Sequence, residues 1–287
     1  GDRSSDVCSS DLASLFGPAW AYAEPAAPND RLVTLQTLKI DTATSTQVER
    51  DPTATRTVVK LMLQPAKGSN INVEVWLPDA DKWNSCFLGL GNGGAAGKIN
   101  SSALDAQSRA GYAVATTDMG TAPNSDSGVG NREVWKDFGF RATHLMTVAA
   151  KQIIRAHYGK GPEFSYFSGG STGGQQALQE AQRYPEDYDG ITAAVPAHCR
   201  TPLHAYFLWN DQILKKCPFT KEQEAGVIAA ANEFMAAREI PLAAGKFVSD
   251  PRCTPQDIEA VIGLARKNDA RSEEHTSELQ SPYVISY

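Results

Sequence analysis

The 287-residue chain lacks any run of about 18 apolar residues, the least a membrane-spanning helix needs, so no span is expected. It has no basic tract, and 27 Lys and Arg against 33 Asp and Glu leave a formal charge of −6. Without such a tract, no nucleic-acid partner is expected. No fixed-period repeat and no dominant low-complexity stretch occur, which excludes solenoids and arrays. The five cysteines show neither a CxxC pair nor Cys/His ligand spacing, so zinc is not expected. What is present is ordinary: 41% apolar and 21% charged residues, a globular composition. The length suits one large domain or two modest ones.

The two ends differ from the rest. The tail contains RSEEHTSELQS, one reading frame of a common short-read sequencing adaptor, and closes on Ile-Ser-Tyr, which fits the adaptor that follows the index. The head contains SSDVCSSDL, which the reverse complement of the same oligonucleotide encodes. Residues 1–12 and 271–287 therefore read as translated adaptor, and the gene is expected to be cut at both ends. Each end carries −2, so −2 of the total −6 belongs to the remainder. Cys8 and His275 accordingly drop out of the chemistry. Residues 13–23 are mostly apolar and end in Ala21-Tyr22-Ala23, the small-x-small form of a signal-peptidase site. They read as a signal-peptide remnant, which implies export to a periplasm or the exterior. Cys86, Cys199, Cys217 and Cys253 remain, and an even number in an exported protein suggests disulfides, with three possible connectivities.

Along the chain, residues 31–64 alternate polar and β-branched residues, as edge strands would. Ile71, Val73, Val75 and Leu77 alternate with Asn72, Glu74 and Trp76, which predicts a half-buried strand. Residues 86–90 predict a short buried strand that runs into a glycine-rich loop at 91–97. Residues 112–117 predict another strand. Residues 141–158 predict a helix with Leu145, Val148, Ala149, Ile153 and Ala156 on one face, capped by Gly159. Strands at 164–168 and 190–196 flank a helix that ends near Pro185. Strands alternating with helices imply an α/β fold with a mostly parallel sheet. Beyond Pro202 the pattern is helical, at 222–238 and 255–266, with no clear strand.

Gly169-Gly170-Ser171-Thr172-Gly173 is G-x-S-x-G, placed after an apolar strand and before a helix. That context predicts a nucleophile elbow with Ser171 at the strained turn. Bulky neighbours would collide with the adjoining strand and helix, which accounts for the glycines. Free N–H groups at the helix start favour developing negative charge. An oxyanion needs two donors. One is expected from the backbone N–H of Thr172, the other from Gly93 or Gly94 in the upstream glycine loop. No metal ligand set and no cofactor are predicted.

Several long strings carry a family resemblance. SYFSGGSTGGQQALQEAQRYPEDYDGITAAVPA at 165–197, DFGFRATHLMTVAAKQIIRAHYGKGPEFSYF at 137–167, FLGLGNGGAAG at 87–97 and LHAYFLWN at 203–210 resemble the tannase and feruloyl esterase family of α/β-hydrolases. The similarity covers roughly residues 30–270. It implies an α/β-hydrolase core over 24–202, a partial, mainly helical lid over 203–270, and a C-terminal part of the core that is missing. It also implies serine-dependent hydrolysis of aromatic-acid esters with Ser171 as nucleophile. The expected partner is a small-molecule aromatic ester.

The chain departs from the family pattern at several positions. Gly170 stands where the family usually has a cysteine bridged to one beside the catalytic histidine. Thr121 stands where a TDTGH-like string has histidine. The lid stretch at 236–245 lacks the Asp-rich calcium loop, with Glu239 its one side-chain carboxylate, so no calcium is expected there. The family's triad acid and histidine lie beyond residue 270. After Ser171 the genuine chain offers only His198 and His204, neither expected to be the base, so this chain as written should be nearly inactive. Two other readings stay open. One is a non-catalytic binding protein on the same fold. The other is an acyltransferase or peptidase, since fold alone does not set chemistry.

Overall fold

A computed structural model describes residues 28–236, 239–242, 245–248 and 254–268. The adaptor-like ends, the signal remnant and Cys253 lie outside the described residues. Two compact units divide between His198 and Cys199. That is a few residues before the boundary expected at 202/203, because helix α6 already begins at Arg200.

The first unit opens with α1 (Pro28–Thr37), followed by β1 (Ala43–Asp51), β2 (Arg56–Leu63), β3 (Ile71–Pro78) and β4 (Cys86–Leu90). Then come α2 (Ser101–Arg109), β5 (Ala113–Thr117), α3 (Arg132–Lys136) and α4 (Ala142–Tyr158). Strand β6 (Phe164–Gly170), α5 (Thr172–Arg183) and β7 (Gly190–Ala194) complete it. The helix at 28–37 corrects the strand expected from residue 31. Proline suits a first helical turn, Thr37 Oγ1 bonds Val33 C=O four residues back at 2.9 Å, and Leu35 is buried in the core. The β-branched alternation forms strand only from residue 43.

The seven strands form one sheet in the order β1-β2-β3-β5-β4-β6-β7. The first three pairings are antiparallel. The last three, which join β5, β4, β6 and β7, are parallel. Ile71, Val73, Val75 and Leu77 all point into the core, as their alternation predicts. One face of the sheet packs Phe87 and Phe167 against Leu35 of α1, Ala177 of α5 and the inner side of α4. The opposite face packs Trp76, Leu88 and Val114 around Leu104 of α2. The buried stripe of α4 runs through Met146, Ala149, Ala150, Ile153 and Ile154. It is rotated from the predicted one: Val148 is exposed, while Leu145 and Ala156 are only partly buried. Gly159 caps α4 with φ 74°, its N–H on Arg155 C=O at 2.9 Å.

The chain passes from β4 outward to β5, then returns to β6 on the other side of β4. Adjacent parallel strands whose connections leave in opposite directions open a crevice at their carboxyl ends, where α/β sheets bind ligands. Here those ends are Leu90 and Gly170.

The second unit holds α6 (Arg200–Lys216), α7 (Lys221–Ala236), the antiparallel pair β8 (Glu239–Leu242) and β9 (Gly245–Val248), and α8 (Pro255–Asn268). The hairpin corrects the strand-free expectation for this stretch. Ala230, Val261 and Ala265 form a small core between α7 and α8. Among the described residues Cys86 and Cys199 are free thiols, so no bridge of either is seen there. Cys86 opens a central strand and Cys199 caps α6.

Candidate active site

Ser171 sits between β6 and α5 with φ 57° and ψ −117°. A non-glycine residue in that region carries about 1–3 kcal/mol of strain, held by its surroundings. The holding contacts are specific. Ser171 N–H donates to Ala194 C=O at 3.1 Å, and Ser171 C=O accepts from Gln175 N–H at 3.1 Å and Ala197 N–H at 3.0 Å. Both backbone groups are used, and the side chain is left exposed. The glycines are required by close approach. A Cβ on Gly169 would lie 2.3 Å from Gly173 O, and one on Gly91 2.6 Å from Gly173 Cα. At Gly170 a Cβ would meet nothing nearer than Ala194 at 3.8 Å. The turn does not demand glycine there, and a side chain has room to start.

The loop after β4 lies against the elbow. Gly91 N–H bonds Ser168 C=O at 2.9 Å, and the Thr172 hydroxyl donates to Gly94 C=O at 2.5 Å. Residues 78 positions apart thus share one spot. Gly94 adopts φ 57°, and Ala96 N–H closes a turn onto Gly93 C=O at 3.0 Å. The N–H groups of Gly93 and Gly94 donate to no described residue. Both glycines are exposed, and a Cβ on either would meet nothing within 4 Å. Ser171, Thr172, Gly93 and Gly94, singled out in the sequence, therefore come together.

Gln176 and Asn92, which the sequence did not single out, position this loop together with Thr121. Gln176, buried on α5, accepts from Asn92 N–H at 2.8 Å through Oε1. Its Nε2 donates to Asn92 Oδ1 at 3.2 Å and Thr143 Oγ1 at 2.8 Å. Asn92 Nδ2 in turn donates to Thr117 C=O at 2.6 Å. Thr121, the position where histidine is common in the family, places its hydroxyl 2.7 Å from Ala95 C=O. A polar residue facing the sheet from an elbow helix was the available signal for Gln176. Below the loop, buried Asp118 accepts from Asn72 N–H, Asn72 Nδ2 and Gly120 N–H at 3.0, 2.6 and 2.8 Å. Burial still pushes its carboxyl above the ordinary range.

Among the described residues, no side chain hydrogen-bonds Ser171 Oγ. His198 turns its Nδ1 to Pro196 C=O at 2.9 Å. His204 stands beside Phe207 on α6 with ring centroids 6.2 Å apart. A cavity of about 400 Å³ lies away from the serine, lined by Lys60, Asn72, Glu74, Lys98 and Asp118 among others.

The family model described as "Tannase and feruloyl esterase" matches residues 55–231. The chain belongs to the tannase and feruloyl esterase family. Within it, the chain is 33% identical over 173 residues to a protein named "Probable feruloyl esterase" from Arthroderma benhamiae, covering 55% of this chain and 32% of that one. It is 34% identical over 155 residues to "Feruloyl esterase B" of Aspergillus niger, covering 53% and 29%. The chain thus spans less than a third of the length of these curated relatives. The crystal structure of feruloyl esterase B from Aspergillus oryzae superposes with a TM-score of 0.64 at 20% identity, over 83% of this chain and 55% of that one. At that identity the likeness establishes the α/β-hydrolase fold.

Proposed function

We propose that the protein is a serine carboxylic ester hydrolase of the feruloyl esterase and tannase type, acting on esters of aromatic acids. The observation that carries the reading is the strained, exposed Ser171 set beside two glycine N–H groups that donate to no described residue. Ser171 Oγ attacks the ester carbonyl while a general base takes its proton. The oxyanion accepts hydrogen bonds from Thr172 N–H and from Gly93 or Gly94 N–H. Each such donor is worth about 2.7–4 kcal/mol when removed. The alcohol leaves with the proton returned by the base, and water then releases the aromatic acid from the acyl-enzyme by the same route. The base is a histidine, oriented by an acid, from sequence outside the described residues. Where a histidine base is lost, as in subtilisin, the rate falls by about 10⁶. Export follows from the Ala21-Tyr22-Ala23 site.

The test is the product of the full-length gene assayed on methyl ferulate and methyl gallate beside its Ser171→Ala variant. Turnover that the substitution abolishes is the expected result. Turnover that survives the substitution refutes the role of Ser171. A full-length gene without a downstream histidine would instead make this a binding protein on a hydrolase fold.

A further inference from the structure

At the far end of α5 from Ser171, three potential metal ligands converge. His144 comes from α4, Glu180 from the last turn of α5, and Asp187 from the short turn at Pro185–Asp187. One ligand atom from each lies within 4.8 Å of the other two. His144 Nδ1 stands 2.6 Å from Asp187 Oδ2. The imidazole is stacked on Tyr184 at 3.8 Å and 9°, which sets its plane.

Glu180 is the anomaly. It is 0% exposed, and neither carboxylate oxygen has a hydrogen-bond partner among the described residues. A buried carboxylate is ordinarily paired or bound to metal. Here the neighbouring Asp187 is a second acid, which can pair with Glu180 only through a shared proton. The surrounding groups do not relieve it. Lys151 Nζ is turned to the backbone C=O of Asp187. The hydroxyls of Thr147 and Tyr188 bond one another, and Arg183 lies over Phe140 and on Gln179.

We propose that His144, Glu180 and Asp187 form a binding site for a divalent transition metal of the zinc class. One imidazole with two carboxylates suits that class, whereas calcium prefers six to eight oxygens. Ligand atoms around a tetrahedral zinc lie roughly 3.4 Å apart, so side-chain shifts of about an ångström close the site. The ion ties α4, α5 and the 185–187 turn together behind the nucleophile. Sequence spacing does not reveal the site, because the ligands come from three separate elements rather than a CxxC or Cys/His string. The inference is independent of the esterase reading.

Isothermal titration with Zn²⁺ after chelator treatment tests it on the whole chain. The expected result is one ion per molecule at this site and a raised Tm. Glu180→Gln and His144→Asn should each weaken the affinity at least about 100-fold, while His198→Ala and Ca²⁺ serve as negative controls. The proposal fails if Zn²⁺ neither binds nor raises Tm. It also fails if the foldable variants of Glu180 and His144 bind as the parent does, which would place the ion on cysteines or surface histidines.

Discussion

Two neighbouring glycines should respond in opposite ways to the same methyl group. A Cβ on Gly169 would sit 2.3 Å from Gly173 O, 2.4 Å from Gly173 C and 2.7 Å from Gly173 Cα. All three obstacles are backbone atoms at the start of α5, so no rotamer change relieves them. Gly173 cannot retreat easily, because it abuts Gly91 on its other side. Overpacking that forces backbone shifts costs about 1–3 kcal/mol, occasionally more. Gly169→Ala belongs at the upper end, at about 3 kcal/mol. With a urea dependence of about 2 kcal/mol per molar, the unfolding midpoint drops by about 1.5 M. Gly170→Ala meets nothing nearer than Ala194 at 3.8 Å. It reduces unfolded-chain freedom and is expected to be neutral or stabilising by up to about 1 kcal/mol. Paired urea melts followed by fluorescence read the contrast directly. Equal midpoints for the two variants would refute the packing argument for the elbow.

Other outcomes follow from the same geometry. Ser171→Gly should raise stability by about 0.5–2 kcal/mol by removing the strain at φ 57°, while abolishing turnover in the full-length enzyme; a lower Tm would contradict a strained serine. Gln176→Leu strands Asn92 N–H and Thr143, so it should cost about 1–3 kcal/mol in denaturant melts, and in the full-length enzyme lower kcat more than it raises KM. An unchanged kcat would show that the glycine loop at 91–97 holds its position without this clamp. Asp51 accepts bonds from Thr53 N–H and hydroxyl and from Ala54 N–H, and it pairs with Arg56; its carboxyl falls to about 2. A lowered folded-state value adds stability above the ordinary 3.8 that is lost as pH falls toward 2. The parent should therefore lose stability between pH 4 and 2 more steeply than Asp51→Asn, and parallel profiles would refute that assignment.

Local pattern was enough for several features, and each is governed by a few adjacent residues. The alternation from Ile71 to Leu77 fixes which side of β3 faces the core, since successive side chains must point opposite ways. Gly159 ends α4 because its left-handed φ excludes most other residues. The G-x-S-x-G string marked the elbow because bulky residues would not fit between strand and helix. Beyond such local rules, packing decided. Leu35 became helical in α1 because a helix there covers the core. The buried face of α4 turned out to run through Met146, Ala150 and Ile154, which packing rather than the local pattern decided. The Gln176 clamp on Asn92 joins residues 84 positions apart, and His144 meets Asp187 across 43. No periodicity of a helix or strand reaches that far. Only the crossover from β5 back to β6 brings the glycine loop, the serine and the helix behind it into one place.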